Sequence, residues 1–307
     1  MKCGPNLLLV IPAALLAFSV VPLHASDVEG SFDRTLKVTG TVDLDVTTGS
    51  GNIIVRQGAA ATVHVVGHIK AHRGLFDSKD AESKVRALEA NPPIEQNGNT
   101  VRIGHSHPEL RHDISISYDL EVPPDTRLHA QAGSGDETIS GITGPVRLNT
   151  GSGNITVSGG KDVTANTGSG EIRLETITGD VRANTGSGNV RLEKSSLTDV
   201  KLSTGSGNVI ASGLSGPLRV LTGSGDIRVE GTQTGEWKLE AGSGTIDVRL
   251  PADAAFDFYG HTGSGRIDSQ HPITMTGSLN RHELRGKVRG GGPLLQARTG
   301  SGNINIQ

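Results

Sequence analysis

Cysteine and aromatic residues are nearly absent from this chain of 307 residues. Its single cysteine, Cys3, lies close to the N-terminus, so a form cut after Ala25 would hold no disulfide, thiol nucleophile or cysteine metal site. Aromatic residues make up 3% and apolar residues 34% of the chain, which is too little for a wide globular core. The net charge of -3 argues against a nucleic-acid partner.

The chain also lacks a long apolar segment after its first 25 residues. Lys2, the apolar stretch 7–23 and the small residue Ala25 together predict a secretory signal peptide over residues 1–25. Pro12 and Pro22 interrupt the stretch, which disfavours a retained membrane anchor. We therefore expect an exported protein, in the periplasm, on the cell surface or secreted, whose membrane association is at most peripheral.

Glycine is abundant, with 43 residues, and much of it lies in a repeated Gly-Ser-Gly motif. From Gly133 to Gly242 the copies are 17 to 19 residues apart, and the last copy, at Gly300, follows Gly263 by 37 residues. A fixed period of this kind is typical of stacked coils. The final gap of about two periods predicts one degenerate coil. The motif begins at Gly49, Gly133, Gly151, Gly168, Gly186, Gly205, Gly223, Gly242, Gly263 and Gly300.

Apolar residues alternate with polar ones on both sides of each motif, which predicts two strands in every period. Glycine at the corner would supply a positive φ without a Cβ clash, so we interpret the motif as structural. Because equivalent residues recur at one period, we favour stacked coils over a meander of hairpins. The sequence predicts an all-β, right-handed β-solenoid with coils of about 18 residues. A column of threonines just before the corners is expected to point inward, which argues against an ice-binding face.

Residues 26–125 are less regular and predict a strand-rich N-terminal capping portion with one helix, from Asp77 to Ala90. The solenoid is assigned to residues 126–307. At the other end the final strand would leave an open edge. We expect either that stretch 270–294 folds over this edge or that a partner meets it.

The sequence resembles the exported bacterial β-solenoid proteins of unknown function that are catalogued as "putative adhesins". Thr-Gly-Ser-Gly-Asn-Ile and Thr-Gly-Ser-Gly-Asp-Ile copies carry the resemblance, together with the alternating Ile116, Tyr118, Leu120 and Val122 before Pro123. The ending Gly291-Gly292-Pro293-Leu294-Leu295, which leads to the copy at Thr299, matches too. The resemblance implies a β-helix-like fold outside the cytoplasm and supplies no catalytic residues.

Outward residues of stacked coils also form columns, and these are the candidate binding residues. Four positions before the corner glycine lie Arg147 and Thr164 and then a basic column, defined as Arg182, Lys201, Arg219 and Lys238. Two positions before it lies an amide column, defined as Asn149, Asn166 and Asn184. Like charges on neighbouring strands repel, and a repeating polyanion would offset this cost. An anionic envelope glycan or glycolipid is the expected partner, with a surface protein as another; a solvated face without a ligand is the alternative.

Catalysis and metal binding have weaker support in the sequence. Asp136 and Glu171 form the best carboxylate pair, two coils and about 9–10 Å apart, at the far edge of the range for an inverting glycosidase. Asp136 also lies in a copy where Gly-Asp-Glu-Thr-Ile delays the apolar residue and suggests an altered register. His64, His68 and His72 on one strand, like His105 and His107 on another, would be too far apart to share a metal ion.

These observations favour a non-catalytic envelope or surface protein, an adhesin or binding scaffold, without a cofactor or metal. The alternatives are a carbohydrate-active enzyme, a hydrolase or lyase, on the same fold, and a passive envelope component without a specific ligand.

Overall fold

The computed structural model of the protein describes residues 27–71, 78–105, 114–275 and 282–307. The predicted signal peptide lies outside these residues. Among them, no helix is long and apolar enough to cross a membrane. The described chain consists of 27 strands and one helix. The all-β solenoid prediction is confirmed.

Each coil contains a long strand before the Gly-Ser-Gly corner and a short strand after it. The regular long strands are β8 (Arg127–Ser134), β10 (Pro145–Ser152), β12 (Lys161–Ser169), β14 (Thr178–Ser187), β16 (Ser196–Ser206), β18 (Leu218–Ser224) and β20 (Trp237–Ser243). Their short strands are β9 (Glu137–Ser140), β11 (Ile155–Ser158), β13 (Ile172–Glu175), β15 (Val190–Glu193), β17 (Val209–Ser215), β19 (Ile227–Thr232) and β21 (Ile246–Arg249). Long strands pair in parallel with the long strands of neighbouring coils, and short strands pair with short strands.

The core is a narrow apolar column enclosed by these strands. On β10 the alternating residues Val146 and Leu148 are fully buried, as are Ile155 and Val157 on β11. The same positions are buried in the following coils, so every coil places its apolar side chains on the copies in neighbouring coils. Trp237, which replaces an aliphatic residue in one such column, is also fully buried, and its indole N–H donates to the Gly216 carbonyl at 2.8 Å.

The N-terminal end joins the stack through parallel strands and closes with antiparallel ones. Here β2 (Asp43–Ser50) and β3 (Ile53–Gln57) form a coil in register with β8 and β9, so the stack begins within the region assigned above to the capping portion. On its outer side, β6 (Thr100–Ile103) pairs in parallel with β2, and β7 (Ile114–Val122) pairs in parallel with β3. The strands beyond these are antiparallel. β5 (Ile94–Asn97) pairs with β6, β4 (Thr62–Ala71) pairs with β7, and β1 (Val28–Lys37) pairs with β4.

The single helix, α1 (Ser78–Ala90), covers the outermost strand β1. Its residues Val85 and Leu88 are buried, and the Glu89 carboxylate accepts the backbone N–H of Ser31 at 3.0 Å. Gly30 gives α1 the room it needs, because a Cβ there would collide with Val85. Covering an edge strand in this way blocks its pairing with other chains. The predicted helix start, Asp77, lies outside the described residues.

The C-terminal end departs from the expected order. The last copy in the sequence, β26 (Leu294–Ser301) and β27 (Ile304–Ile306), lies between the coil of β20 and β21 and the coil of β22 (Phe256–Ser264) and β23 (Ile267–Ser269). The expected degenerate coil is absent from the described part of the 37-residue gap. Instead β24 (Ile273–Met275) and β25 (Glu283–Val288) run antiparallel, with β25 paired along β22. Within stretch 270–294, β25 therefore covers one edge of β22, and the final copy is internal.

Candidate functional site

Backbone geometry requires glycine at the first and third positions of most Gly-Ser-Gly corners. The third residue of each motif has a positive φ, for example +153° at Gly170, which side chains rarely adopt. The first residue is packed against its copy in the neighbouring coil, since a Cβ at Gly186 would lie 2.6 Å from the Gly168 carbonyl oxygen. The Gly-Ser-Gly motif is therefore structural, as the sequence predicts.

At most corners the preceding residue is a threonine whose hydroxyl donates to a backbone carbonyl of the neighbouring coil. Thr204 is 2% exposed, and its hydroxyl donates to the Gly188 carbonyl at 2.9 Å. Thr150, Thr167, Thr185, Thr222, Thr262 and Thr299 make the equivalent bond. The column points inward, so these hydroxyls are not available to an external ligand.

Asn and Asp side chains just after the corners form a ladder of hydrogen bonds between coils, and Asp136 belongs to this ladder. Its Oδ1 accepts the backbone N–H of Asn154 at 2.7 Å, and Asn154 in turn accepts from Glu171 at 2.9 Å. Glu171 pairs with Arg173 at 3.3 Å. Both members of the candidate carboxylate pair therefore have structural partners in the coil stack, which weakens the enzyme hypothesis.

Glu137 occupies an inward position, and this corrects the altered register expected for its copy. Glu137 aligns with Ile155 and Ile53, and Ile139 aligns with Val157, so the register is unchanged. The Glu137 side chain is fully buried, and neither carboxyl oxygen has a hydrogen-bond partner among the described residues. Burial raises its pKa from 4.5 to about 8, and the nearby Ala132 backbone lowers it by less.

The basic column forms on the outward face of the long strands. Arg182 aligns with Lys201, Lys201 with Arg219, and Arg219 with Lys238, on successive strands about 4.8 Å apart. The structure adds carboxylates that the sequence analysis missed. Asp199 lies 2.7 Å from Lys201 and 3.8 Å from Arg182, and Asp180 lies 3.8 Å from Arg182.

The remaining members of the basic column differ in their surroundings. Lys238 pairs with Glu240 at 3.0 Å and is half-buried. Arg219 is exposed and has no carboxylate partner among the residues the structure describes. Beside it Leu221 is 49% exposed, an unusually open position for leucine in this chain. The column thus keeps an excess of positive charge that is concentrated around Arg219.

The amide column is a continuous chain of hydrogen bonds along the same face. Asn184 Nδ2 donates to Asn166 Oδ1 at 2.9 Å, and Asn166 Nδ2 donates to Asn149 Oδ1 at 2.9 Å. Asn149 Nδ2 lies 3.5 Å from His129 Nε2, and His129 Nδ1 lies 3.4 Å from Asp45 Oδ1. Such in-register amide ladders stabilise parallel strand stacks. The column therefore has a structural role and also ends at a charged cluster.

This cluster lines a groove of about 470 Å³ at the N-terminal end of the long-strand face. Its charged residues are Asp43, Asp45, Arg102, Arg127, His129 and Arg147. They come from four strands, β6, β2, β8 and β10, which are neighbours in the sheet. Because these residues are distant in the sequence, the repeat pattern alone gives no signal for the groove.

The face of the short strands is neutralised by its own ion pairs. Arg173 lies 4.0 Å from Glu175, and Arg191 lies 3.3 Å from Glu193. Arg228 pairs instead with Asp247 at 3.5 Å, and Glu230 pairs with Arg249 at 3.6 Å. This face is the less suitable one for an anionic ligand.

The histidines outside the repeats are held by separate carboxylates. His64 lies 2.9 Å from Asp33, and His68 lies 3.3 Å from Asp119. His105 lies 3.2 Å from Asp45, next to the groove. His72 and His107 lie outside the described residues. Within the described ranges, no three His, Cys, Asp or Glu side chains are placed to hold a metal ion.

The four aromatic side chains of the described repeats offer no open platform for a sugar ring. Trp237, Phe256 and Phe258 are buried. The ring of Tyr259 is contacted by two guanidinium groups, those of Arg285 at 4.6 Å and Arg298 at 5.0 Å from its centroid.

The coil stack and its outward columns define a β-solenoid protein whose two faces differ in charge pairing. A family comparison matches residues 33–307 to the family described as Toastrack DUF4097. The chain belongs to this family, whose fold is β-solenoid-like.

Solved structures similar to this chain include two proteins named "putative adhesin" and one named "putative cell adhesion protein". The first two come from Bacteroides fragilis (16% identity, TM-score 0.38) and Parabacteroides distasonis (12%, 0.45); each match covers 91% of this chain and 97% of the other. The third is from Clostridium sporogenes (11%, 0.23), with 91% and 98% covered. At these identities and TM-scores they indicate nothing about the site. No curated protein matches the chain.

Proposed function

We propose that this protein is a non-catalytic, exported binding protein of the cell envelope or surface. Its ligand would be an anionic envelope glycan or glycolipid, bound on the long-strand face by the basic and amide columns. The observation that carries the proposal is the register of the long strands, which places one basic residue on each strand from β14 to β20 and one asparagine on each strand from β10 to β14. A polymer with regularly spaced charges would match such a repeat.

The energetics of the face are compatible with ligand exchange. Exposed ion pairs such as Arg182 with Asp180 contribute only about 0–1 kcal/mol each, so a polyanion could displace them at little cost. Arg219 has no ion pair among the described residues that a ligand would have to break, and the exposed Leu221 beside it provides apolar contact area. The expected contact therefore centres on Arg219 and its neighbours.

Two features outside the long-strand face support export and a non-catalytic role. Export is supported by the N-terminal sequence, with Lys2, the apolar stretch 7–23 and Ala25. A non-catalytic role is supported by Asp136 and Glu171, because both carboxylates have partners within the coil stack.

The proposal is tested by binding of the protein from residue 26 onward to an array of envelope glycans and glycolipids at low and high salt. One variant changes Arg182, Lys201, Arg219 and Lys238 to Gln. A matched control changes Arg173, Arg191 and Arg228 to Gln on the short-strand face. We expect binding that weakens with salt, is lost in the first variant and persists in the control. Binding that is absent, or equal in all three proteins, would rule the column out.

A further inference from the structure

We infer that the groove at the N-terminal end of the long-strand face is a separate site for a carboxylated sugar, such as a uronic acid unit of an acidic glycan. The inference rests on the proposed function only in that the same class of ligand is involved. The groove uses different charged residues from the basic column, so the two can be tested independently.

The groove is built as a grid of outward side chains on four neighbouring strands. Arg102, Asp45, His129 and Arg147 align across the strands in one row. Asp43 aligns with Arg127 in the row beside it. Arg102 and Arg147 are three strand spacings apart, or about 14 Å between their Cα atoms. The two arginines therefore stand at opposite ends of the row, and the volume of about 470 Å³ is in the range of small-molecule sites.

The ion pairs within the groove leave two guanidinium groups free. Arg127 lies 3.6 Å from Asp43, and His129 lies 3.4 Å from Asp45. Arg102 and Arg147 are exposed and have no hydrogen-bond or ion-pair partner among the described residues. A free guanidinium on a rigid sheet is a strong donor for a carboxylate, which it can bind through two parallel hydrogen bonds.

The balance of charges selects the class of anion. Within the groove lining, three arginines and two aspartates leave one net positive charge, with His129 not counted and with Glu95 on β5, which aligns with Arg102, outside the lining. A monovalent carboxylate matches that charge, whereas a phosphate group carries about -1.5 to -2 and would meet two aspartates. The aspartates can instead accept hydrogen bonds from sugar hydroxyls. The exposed ring of Pro145 lines the same groove and offers an apolar surface to the ring carbons.

Asn149 connects the groove to the rest of the face. Its Nδ2 lies beside His129 Nε2, and its Oδ1 accepts a hydrogen bond from Asn166, the next member of the amide column. A glycan chain bound along the amide column would thus reach the groove with one of its ends.

The test is calorimetric titration of the protein, expressed from the full chain, with galacturonate, galactose and inorganic phosphate. The test variant is Arg102→Gln with Arg147→Gln, and the matched control is Arg173→Gln with Arg191→Gln. We expect galacturonate to bind more tightly than galactose or phosphate. The test variant should weaken that binding by about tenfold or more, since the single carboxylate of galacturonate pairs with one of the two free guanidinium groups and the variant removes both. The control should bind as the original protein does.

Several results would overturn the inference. They are no binding of galacturonate, equal binding in the test variant, or a preference for phosphate over galacturonate. The basic-column variant, titrated in parallel, separates the two proposals. If it keeps galacturonate binding but loses binding to the glycan array, both sites stand. If the groove fails while the array result holds, only the groove inference falls.

Discussion

The buried carboxyl of Glu137 should make the stability of the solenoid depend on pH. In the folded protein its pKa is about 8, against 4.5 for a free glutamate side chain. Between these values the folded state holds a proton that the unfolded state has released, so the free energy of unfolding falls as pH rises. Each pKa unit corresponds to about 1.4 kcal/mol, which gives a loss of about 5 kcal/mol between pH 4 and pH 9.

Replacing Glu137 by Ile, the residue at position 155 in the next coil, should remove this dependence. Glu137→Gln is the matched control, since it keeps the shape and polarity but cannot ionise. The assay is urea unfolding at a series of pH values, followed through the fluorescence of the single buried tryptophan, Trp237. Both variants should gain most over the original protein at pH 9. A parallel pH dependence in the original protein and in Glu137→Ile would refute the reasoning.

Three substitutions, the first with a control at Gly49, test how neighbouring coils hold together. Gly186→Ala should lower the free energy of unfolding by at least about 1–3 kcal/mol, because the added Cβ collides with the neighbouring coil. Gly49→Ala should lower it less, because the space around that Cβ is open. Equal losses of unfolding free energy in chemical denaturation would contradict this. Thr204→Val should cost about 1 kcal/mol by leaving the part-buried Gly188 carbonyl without this donor, and an unchanged midpoint in urea would count against the role of the threonine column. Ala241→Thr should add the missing threonine and stabilise by about 1 kcal/mol; a lower melting temperature would be the opposite result.

The coil architecture could be predicted from the sequence because its determinants are local and repeated. Gly-Ser-Gly, the threonine before it and the alternating apolar residues each recur at one period, and each has the role that its chemistry predicts. The position of the last copy could not be predicted in this way. Any coil can stack on any other through the same columns, so the pattern does not specify that β26 lies between β20 and β22.

The candidate site was predictable only in part. The basic column and the amide column follow from the period. Asp180 and Asp199 are paired near the starts of β14 and β16, directly after a register shift, so the period does not specify that they face Arg182 and Lys201. Glu137 occupies a position where an apolar residue is expected, so its charge suggested a shift in register rather than burial. The groove joins residues from 43 to 147, a contact that only the stacking of β6, β2, β8 and β10 creates.

The most direct test of the central claim is the affinity of the protein for one anionic glycan, compared between two variants. One has Arg182, Lys201, Arg219 and Lys238 changed to Gln, and the other has Arg173, Arg191 and Arg228 changed to Gln. Both would be measured at low and high salt. We expect that only the first variant loses the affinity and its salt dependence. Equal affinity of the two variants would contradict the assignment of the long-strand face as the binding surface.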